Sequence, residues 1–478
     1  MPTNQLDNPT PTRIVVIGGG ITGLAATHQL CKLCSEKNIA LDVILLEASD
    51  RLGGVIQTSK RDGFLIESGP DSFISQKPEA VDLCHRIGIA DQLIPTVEAH
   101  RRAFVVHKSR LVPIPEGFIL LAPTKLNPLI KSPLFSWKGK LRMGMDLLLP
   151  AKKDEADESL ASFVTRRLGR EALDSIVQPL VAGIYTANPE ELSLRATMPQ
   201  FLNMEQQHGS VIRGLRRQMI QQQNSGSGAR YSLFVSLQHG QNSFVDALTR
   251  RLPENSIRLN SPVKQVLKPG VNWSVTLENG TALNANAVII CLPGPRATEL
   301  LKDMDSKLAA DLTAIKYASS AVINMAWHHS DIPHPLNGFG FVVPAIERRS
   351  LIACSFSSVK FKERAPDGHV LLRCFIGGAL QPEMLELDDV DMLAAIQRDL
   401  RDLLGITSPP LFTHVQRHFD SMPQYAVGHL DLVARLRSQL SKYSGLALAG
   451  NAFEGIGIPD CIRSGEKAAG DAVGAISK

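Results

Sequence analysis

The sequence contains no run of 18 apolar residues, so we predict no transmembrane helix. The stretch LVPIPEGFILLAPTKLNPLI at 111–130 comes nearest, but prolines and charges interrupt it. It could lie on a membrane surface or line an apolar channel. The first twelve residues lack the basic and apolar regions of a signal peptide, and we expect a disordered lead-in there.

An excess of charge of one sign is also lacking. The 478 residues include 51 basic and 47 acidic side chains, which gives no argument for a nucleic-acid partner. The seven cysteines are odd in number and scattered, as expected in a reducing compartment. Cys31 and Cys34 form a C-x-x-C pair, but both lie on a predicted helix among apolar neighbours. We therefore expect packing residues there and no metal site.

A glycine-rich turn dominates what is present. In RIVVIGGGITGLAA, the β-branched run 14–17 predicts a buried parallel strand, and 22–30 predicts a helix. Between them, Gly18, Gly20 and Gly23 have the G-x-G-x-x-G spacing. The first glycine permits the tight turn, the second admits a pyrophosphate, and the third lets helix and strand pack closely. We expect Gly20 to be required for space and to have a positive φ.

A second strand with a terminal acid follows the helix. Residues 43–46 predict a buried strand, and Glu47 ends it, 24 positions after Gly23 (47 − 23). An acid near that offset binds ribose hydroxyls in dinucleotide-binding folds. Strand, glycine turn, helix, strand and acid occur in order, so the sequence predicts a site for an adenine dinucleotide.

The rest of the chain suggests a discontinuous nucleotide domain. The pattern is mainly helical from 76 to 230, and 221–232 reads as a polar Gly/Ser loop. Strands are predicted around the Asn279-Gly280 turn and over 313–380. The C-terminal end again predicts strand, glycine loop and helix, so we expect it to return to the first sheet.

Three motifs together identify a family. They are the glycine turn with Glu47, the segment EASDRLGGVIQT followed by GPDSF at 69–73, and AGNAFEGIGIPDCIRSG at 449–465. Their combination resembles the oxygen-dependent protoporphyrinogen/coproporphyrinogen oxidase family of the FAD-containing amine oxidase superfamily. The likeness covers nearly the whole chain, including PLVAGIYTANPEELSLRA and SFSSVKFKERAP.

The resemblance implies an α/β fold with three parts. These are a discontinuous Rossmann-like FAD-binding domain, a mixed-sheet substrate-binding domain and a helical membrane-facing entrance domain. The expected limits are 13–95, 233–300 and 410–478 for the first, 96–110 and 301–409 for the second, and 111–232 for the third.

The activity implied by the resemblance is that of a flavin-dependent oxidase of heme biosynthesis. It would oxidise protoporphyrinogen IX to protoporphyrin IX, or coproporphyrinogen III to coproporphyrin III, with O2 as acceptor and H2O2 as by-product. Candidate partners are a membrane surface, a second copy of the chain and ferrochelatase. The expected location is the cytoplasm, with peripheral attachment to the cytoplasmic membrane as a further expectation.

The resemblance also implies which residues hold FAD. The pyrophosphate would lie at the glycine turn, the adenosine at Glu47 and Val263, and the flavin between three later segments. Arg51 would reach a phosphate or a nearby oxygen. Many relatives have Gly-Asp where this chain has Gly450-Asn451, and an Asn binds a ribityl hydroxyl through its amide. The full set is Gly18, Gly19, Gly20, Ile21, Thr22, Gly23, Glu47, Ala48, Arg51, Gly54, Val55, Gly69, Pro70, Asp71, Ser72, Val263, Asn451, Ile456, Gly457 and Ile458.

The implied substrate pocket is mostly apolar, with few polar anchors. It comprises Gly183, Val342, Ser355, Phe375 and Arg102, with Phe375 stacking on a pyrrole ring. In some relatives an Arg directly precedes the Phe-Val pair of the next strand. Here Arg102 lies one place earlier, which reverses its face on a strand and puts its role as a propionate anchor in doubt.

Other members of the superfamily are the alternatives. A carotenoid desaturase or an amine oxidase would share the FAD segments, but an amine oxidase needs an aromatic cage. The chain has only five Tyr and three Trp, and none lies in the third motif. Rab GDP-dissociation inhibitors use a related fold for binding without catalysis, and their nucleotide site no longer serves FAD. The intact glycine turn and Glu47 favour the enzyme.

Overall fold

The computed structural model describes residues 12–154, 156–224 and 233–476. Residues 1–11 of the expected lead-in and 225–232 of the predicted loop therefore lie outside the described residues. Thr12 begins the first strand, and 221–224, predicted as loop, form the end of a helix. The described strands are β1 (Thr12–Ile17), β2 (Leu41–Leu46), β3 (Thr58–Arg61), β4 (Phe64–Glu67), β5 (Phe73–Ile74), β6 (Leu93–Pro95), β7 (Phe104–His107), β8 (Arg110–Pro113), β9 (Phe118–Ile119), β10 (Ala122–Pro123), β11 (Phe234–Leu237), β12 (Ile257–Arg258), β13 (Val263–Leu267), β14 (Trp273–Leu277), β15 (Ala282–Ala285), β16 (Ala287–Ile290), β17 (Tyr317–His328), β18 (Gly340–Val342), β19 (Ala353–Phe356), β20 (His369–Gly377), β21 (Phe412–Pro423) and β22 (Leu446–Leu448).

The helices alternate with these strands, and many are short. They are α1 (Ile21–Lys37), α2 (Pro78–Ile87), α3 (Leu126–Lys131), α4 (Trp137–Gly144), α5 (Leu160–Arg167), α6 (Arg170–Ala172), α7 (Gln178–Tyr185), α8 (Leu194–Thr197), α9 (Pro199–His208), α10 (Val211–Asn224), α11 (Asn242–Thr249), α12 (Gly294–Leu301), α13 (Ser306–Thr313), α14 (Ser357–Lys360), α15 (Asp389–Leu404), α16 (His429–Leu440) and α17 (Ile458–Ile476). None of the described helices is both long enough and apolar enough to cross a bilayer.

A five-stranded parallel sheet forms the first layer, in the order β12-β2-β1-β16-β22. Ile14 and Val16 of β1 face the core beneath α1 and α17, while Val15 and Ile17 face the opposite core beneath β13–β15. Burial on both faces explains why the run is continuously apolar. The C-terminal strand and helix return to this sheet, as predicted, and the predicted α/β fold is confirmed.

The two cysteines of the C-x-x-C pair lie on α1. Cys31 and Cys34 are half-buried against the core under that helix, and all seven cysteines are free thiols. Burial, with the nearby Cys34, raises the pKa of the Cys31 thiol to about 11, so the thiolate that redox or metal chemistry requires is disfavoured. Their predicted packing role agrees with this environment.

A seven-stranded mixed sheet forms the second large layer, in the order β21-β17-β20-β19-β18-β7-β8. One face packs on α15, with Phe341, Cys354 and Cys374 in the shared core. The structure places β21 in this sheet, although the sequence grouped 410–478 with the FAD-binding region. Pairing of β21 with β17 decides its position, and that pairing joins residues from 86 positions apart (Ala326 with Phe412) to 106 positions apart (Tyr317 with Pro423).

Helices α3 to α10 form a third region with its own apolar core, which includes Phe163, Ile176 and Phe201. The prediction of a mainly helical segment from 76 to 230 is correct for this part. The strand expected at the Phe104-Val105 pair is present as β7, whereas β8, which also extends the large sheet, and the short strands β6, β9 and β10 were not predicted. Strands of two to four residues are too short to show an alternating pattern.

Candidate active site

The glycine turn lies between β1 and α1, at the carboxyl edge of the parallel sheet. Gly18 has φ +105° and donates its N–H to the Leu46 carbonyl at 2.8 Å. A Cβ on Gly23 would lie 1.9 Å from the Gly18 carbonyl oxygen, so helix and strand cross too closely for a side chain. Both glycines have the structural roles that the motif predicts.

Gly20 differs from its neighbours. Its φ is −68°, so the expectation of a positive φ at this residue is wrong, and Gly18 supplies the left-handed conformation instead. A Cβ on Gly20 would find no described atom within 4 Å. Of Gly18, Gly20 and Gly23, Gly20 is the one with free space at the position of a Cβ. Such an open cradle fits a ligand that approaches the backbone there.

Glu47 closes the rim of the turn. Its carboxylate accepts hydrogen bonds from Gly19 N–H at 2.6 Å and from the Ser49 N–H and hydroxyl, both at 2.8 Å. Ala48, which lies between Glu47 and Ser49 in the sequence, is exposed. Ser261 donates its N–H to the Glu47 carbonyl, which brings the start of β13, at Val263, to the same edge of the sheet.

Arg51 stabilises a second glycine loop, residues 52–56. Its guanidinium donates to the carbonyl oxygens of Leu52, Gly54 and Ile56, at 3.2, 2.7 and 3.2 Å. In this structure the Arg51 guanidinium thus bonds carbonyl oxygens of its own loop, and its contact with a cofactor phosphate stays a prediction. Gly53 donates its N–H to the Gly19 carbonyl at 2.8 Å, so this loop lies directly over the glycine turn. Val55 follows it, half exposed.

The segment 69–72 packs under that loop. A Cβ on Gly69 would lie 1.8 Å from the Val55 carbonyl oxygen, so the two segments touch. Pro70 follows, and then Asp71, whose side chain is 13% exposed, accepts hydrogen bonds from Lys360 Nζ at 3.0 Å and from the Ser72 hydroxyl at 2.8 Å. Burial alone would raise the pKa of Asp71, but Lys360 and Arg373 outweigh it and hold that pKa well below its usual range.

We expect Asp71→Asn to lower the free energy of unfolding by about 3 kcal/mol, because Lys360 and Arg373 would lose their buried counter-charge. The folded pKa is depressed, so this contribution is present above the ordinary Asp range and is lost only as pH falls through the folded value. Urea unfolding at several pH values measures it. Asp389→Asn, which removes an exposed partner of Arg417, is the control and should cost less than about 1 kcal/mol. Equal losses in both variants would contradict the assignment.

The C-terminal glycine loop, residues 449–457, reaches the same edge from β22. Gly450 has φ +130° and donates its N–H to the Ser464 hydroxyl at 3.0 Å. The Asn451 amide donates to the Ser421 carbonyl at 3.1 Å, so part of its predicted hydrogen-bonding capacity is already used. Ile456 packs against the helical core, and α17 begins directly after Gly457, at Ile458. Ile21 and Thr22 at the start of α1 are buried, and Thr22 Oγ1 lies 3.9 Å from the position of a Cβ on Gly450.

Four of the five predicted pocket residues lie together. Val342 and Phe375 both oppose Ala353 in neighbouring strands, and Ser355 is two residues along, so all three side chains share one face of the large sheet. A Cβ on Gly183 of α7 would lie 3.7 Å from Val342 Cγ1. The helical region therefore covers this face at Gly183.

Arg102, the fifth predicted pocket residue, does not lie with the other four. It precedes β7 and is exposed. Both its Cγ and the Phe104 ring lie next to Gly338, and Phe104 packs in the core on the opposite face of the sheet. The one-place offset seen in the sequence accounts for this, since neighbouring strand positions point to opposite faces.

Arg373 is the residue that the sequence interpretation missed. It lies two positions before Phe375 on β20, so it shares the pocket face, and its guanidinium lies 4.8 Å from the Phe375 ring centroid. It also donates to the Gly69 carbonyl, which links the sheet to the segment beneath Val55. Burial lowers the pKa of Arg373, while Asp71 and Glu67 oppose that shift. The i, i+2 spacing from Phe375 was the available signal.

Taken together, a parallel sheet with a glycine turn, a terminal acid and a C-terminal glycine loop at one edge defines a dinucleotide-binding oxidoreductase fold. Residues 21–473 match the family described as flavin containing amine oxidoreductase, and the chain belongs to that family. The dinucleotide turn and the flavin of the family together identify the cofactor as FAD.

Named relatives cover almost the whole chain. The coproporphyrinogen III oxidase of Bacillus subtilis (strain 168) is 36% identical over 464 residues, covering 96% of this chain and 97% of the relative. The protoporphyrinogen oxidase of Bos taurus is 31% identical over 496 residues, covering 96% and 98%. Both relatives are named as oxidases, which supports the enzyme over a binding module.

Two solved structures share the fold. A crystal structure assigned to a protoporphyrinogen oxidase of Exiguobacterium sp. 255-15 has a TM-score of 0.86 and 31% identity, covering 98% of this chain and 100% of that one. Reduced UDP-galactopyranose mutase has a TM-score of 0.71 at 16% identity, covering 97% and 96%, and shows the fold alone.

Proposed function

We propose that this protein oxidises a porphyrinogen to the corresponding porphyrin, with coproporphyrinogen III as the first candidate substrate and protoporphyrinogen IX as the second. The observation that supports this proposal is the half-buried sheet face formed by Val342, Ser355 and Phe375, which the helical region covers at Gly183. An apolar and aromatic face beside the glycine loops suits the pyrrole rings of an uncharged, flexible macrocycle, whose acidic side arms would lie outside this face. The order of the two substrates follows the names of the relatives.

We propose that FAD lies along the edge where the three glycine segments meet. Its pyrophosphate would lie at Gly20, its ribose at Glu47, and its flavin near Val55, Gly69 and Ile456. Support comes from the open cradle at Gly20 and from the contact between Val55 and Gly69. The three-domain division remains a proposal too, with β21 assigned to the substrate-binding part.

When bound, FAD would supply the redox chemistry for three successive two-electron oxidations, accepting the hydride that leaves a methylene carbon in each and passing the electrons on, so that three O2 become three H2O2 per macrocycle. The chain's own contribution is positioning. Phe375 offers its ring to a pyrrole, Val342 and Gly183 set the gap for the macrocycle, and the sheet excludes bulk water. Each oxidation also releases one proton. Over the three steps two of these protons come from pyrrole N–H groups and one from the remaining methylene carbon, and we expect solvent or the substrate itself to relay them without a side-chain base.

An anaerobic flavin-reduction assay tests this function. We expect coproporphyrinogen III and protoporphyrinogen IX, added side by side, to bleach the visible flavin absorption, and the faster one to be the preferred substrate. Benzylamine is the control for amine oxidase activity. Bleaching by the amine alone, or by none of the three, would overturn the proposal.

We also propose that the helical region attaches to a membrane surface. On α4, Trp137 and Leu141 lie one turn apart and are each 73% exposed, and Leu148 beyond it is 84% exposed. Large apolar side chains exposed together mark an interaction surface. Lys138 and Lys140 adjoin it and suit anionic headgroups.

For the double variant Trp137→Asp/Leu141→Asp, we expect at least a tenfold loss of binding to anionic phospholipid vesicles at low salt, since both inserted side chains become charged. Vesicle co-sedimentation measures it. Val271→Asp is the matched control, because Val271 is 90% exposed on the distant β13–β14 turn. If the native protein fails to bind vesicles, or if both variants behave alike, the attachment surface is wrong.

A further inference from the structure

Tyr425 lies against the C-terminal glycine loop and is 1% exposed. Its hydroxyl donates to the Asn451 carbonyl at 2.6 Å and accepts the Gly455 N–H at 2.8 Å. One hydroxyl group thus joins the two sides of the loop. No feature of the proposed chemistry uses this residue, and no motif in the sequence singled it out.

His429 supports the same contact. Its ring stacks on the Tyr425 ring with centroids 3.9 Å apart and planes at 11°. Its Nε2 lies 3.2 Å from the Phe453 carbonyl, which can only accept, so Nε2 carries the proton. Burial lowers the pKa of His429 despite that bond, which keeps the ring neutral at neutral pH. The pair therefore contacts the loop at three backbone positions.

The backbone that carries this pair is fixed by the helical region. Ser193 donates its N–H to the Tyr425 carbonyl at 2.7 Å, and Val427 donates to the Glu191 carbonyl at 2.9 Å. Gly428 donates to Asp157 Oδ2 at 3.0 Å. The position of the Tyr425 hydroxyl is thus set by segments remote in sequence from the loop it holds.

The loop needs such outside support. It runs from the end of β22 to the start of α17 without regular structure, and Gly450 and Gly455 have φ values of +130° and +117°. Glycines lose more conformational freedom on ordering than other residues. A loop of this kind binds a ligand tightly only when something else holds its bound conformation.

We propose that Tyr425 is a positioning residue for the cofactor, which holds the C-terminal glycine loop in its FAD-binding conformation through Asn451 and Gly455, with His429 fixing the tyrosine ring. The inference rests on the proposed location of FAD at this loop. Because the helical region fixes the backbone around Tyr425, the conformation of the loop also depends on that region, which covers the substrate face.

The test is FAD binding by the full-length apoprotein. Tyr425→Phe keeps the ring and its stacking but leaves the Gly455 N–H and the Asn451 carbonyl without their partner. We expect the dissociation constant for FAD to rise about tenfold, and the visible spectrum of bound flavin to change. Tyr443→Phe is the control: it removes a tyrosine hydroxyl bonded to Asp305 and should leave both readouts unchanged.

Binding is measured without substrate, so the result is independent of whether the protein oxidises porphyrinogens. A folded Tyr425→Phe protein with native FAD affinity and spectrum would overturn the proposal. If that variant does not fold, His429→Phe decides, because it retains a stacked ring and removes only the bond to Phe453. We expect about threefold weaker FAD binding there, and unchanged binding would overturn the proposal as well.

Discussion

Gly20→Val is expected to yield a folded protein without FAD. The valine finds no described atom within 4 Å of its Cβ, and the φ of −68° at this residue suits any side chain. The chain itself therefore tolerates the change. The space that valine occupies is the proposed position of the pyrophosphate, so we expect the bound flavin to fall from stoichiometric to about a hundredth or less at micromolar FAD.

Flavin content, measured by absorbance after purification, and circular dichroism of the same sample test this prediction together. Gly470→Val on α17 is the matched control, since its Cβ also meets no described atom within 4 Å. A Gly20→Val protein that retains stoichiometric flavin would show that the pyrophosphate lies elsewhere. Gly23→Val does not serve this purpose, because its Cβ would clash with the Gly18 carbonyl and disturb the fold.

Gly183→Phe is expected to abolish porphyrinogen oxidation while FAD stays bound. A Cβ on Gly183 makes an ordinary contact with Val342 Cγ1 at 3.7 Å, so a small side chain fits. A phenyl ring must extend over the sheet face, where the macrocycle is proposed to lie. Misplacing the reacting carbon by about an ångström costs on the order of a hundredfold in rate, so we expect at least that loss in kcat/KM.

Turnover and flavin content of the same preparation separate the two proposed sites. Gly470→Phe is the control for bulk added to a helix at an open position. Phe375→Ala should lower turnover with flavin retained, because it removes the ring offered to a pyrrole. Full activity in both Gly183→Phe and Phe375→Ala would place the substrate elsewhere on the protein.

The cofactor site and the substrate pocket could be predicted from the sequence to different extents. The glycine turn, Glu47 and the parallel strands around them could be predicted because each signal lies within a few residues. The i, i+2 spacing of Arg373 and Phe375 was equally local, yet it acquires meaning only once β20 is known to face the pocket. The negative φ of Gly20 could not be predicted, since any of three consecutive glycines could supply the left-handed turn.

By itself, then, the sequence determined the dinucleotide turn, the family resemblance and the pairing of an N-terminal and a C-terminal segment in one sheet. Only the tertiary structure decided that β21 joins the large sheet, that Arg51 bonds backbone carbonyls, and that the Asn451 amide bonds Ser421. It alone brought Tyr425 to Gly455. The physical reason is that a local pattern fixes backbone conformation and apolar faces, whereas hydrogen-bond partners are chosen among groups that packing brings together from distant parts of the chain.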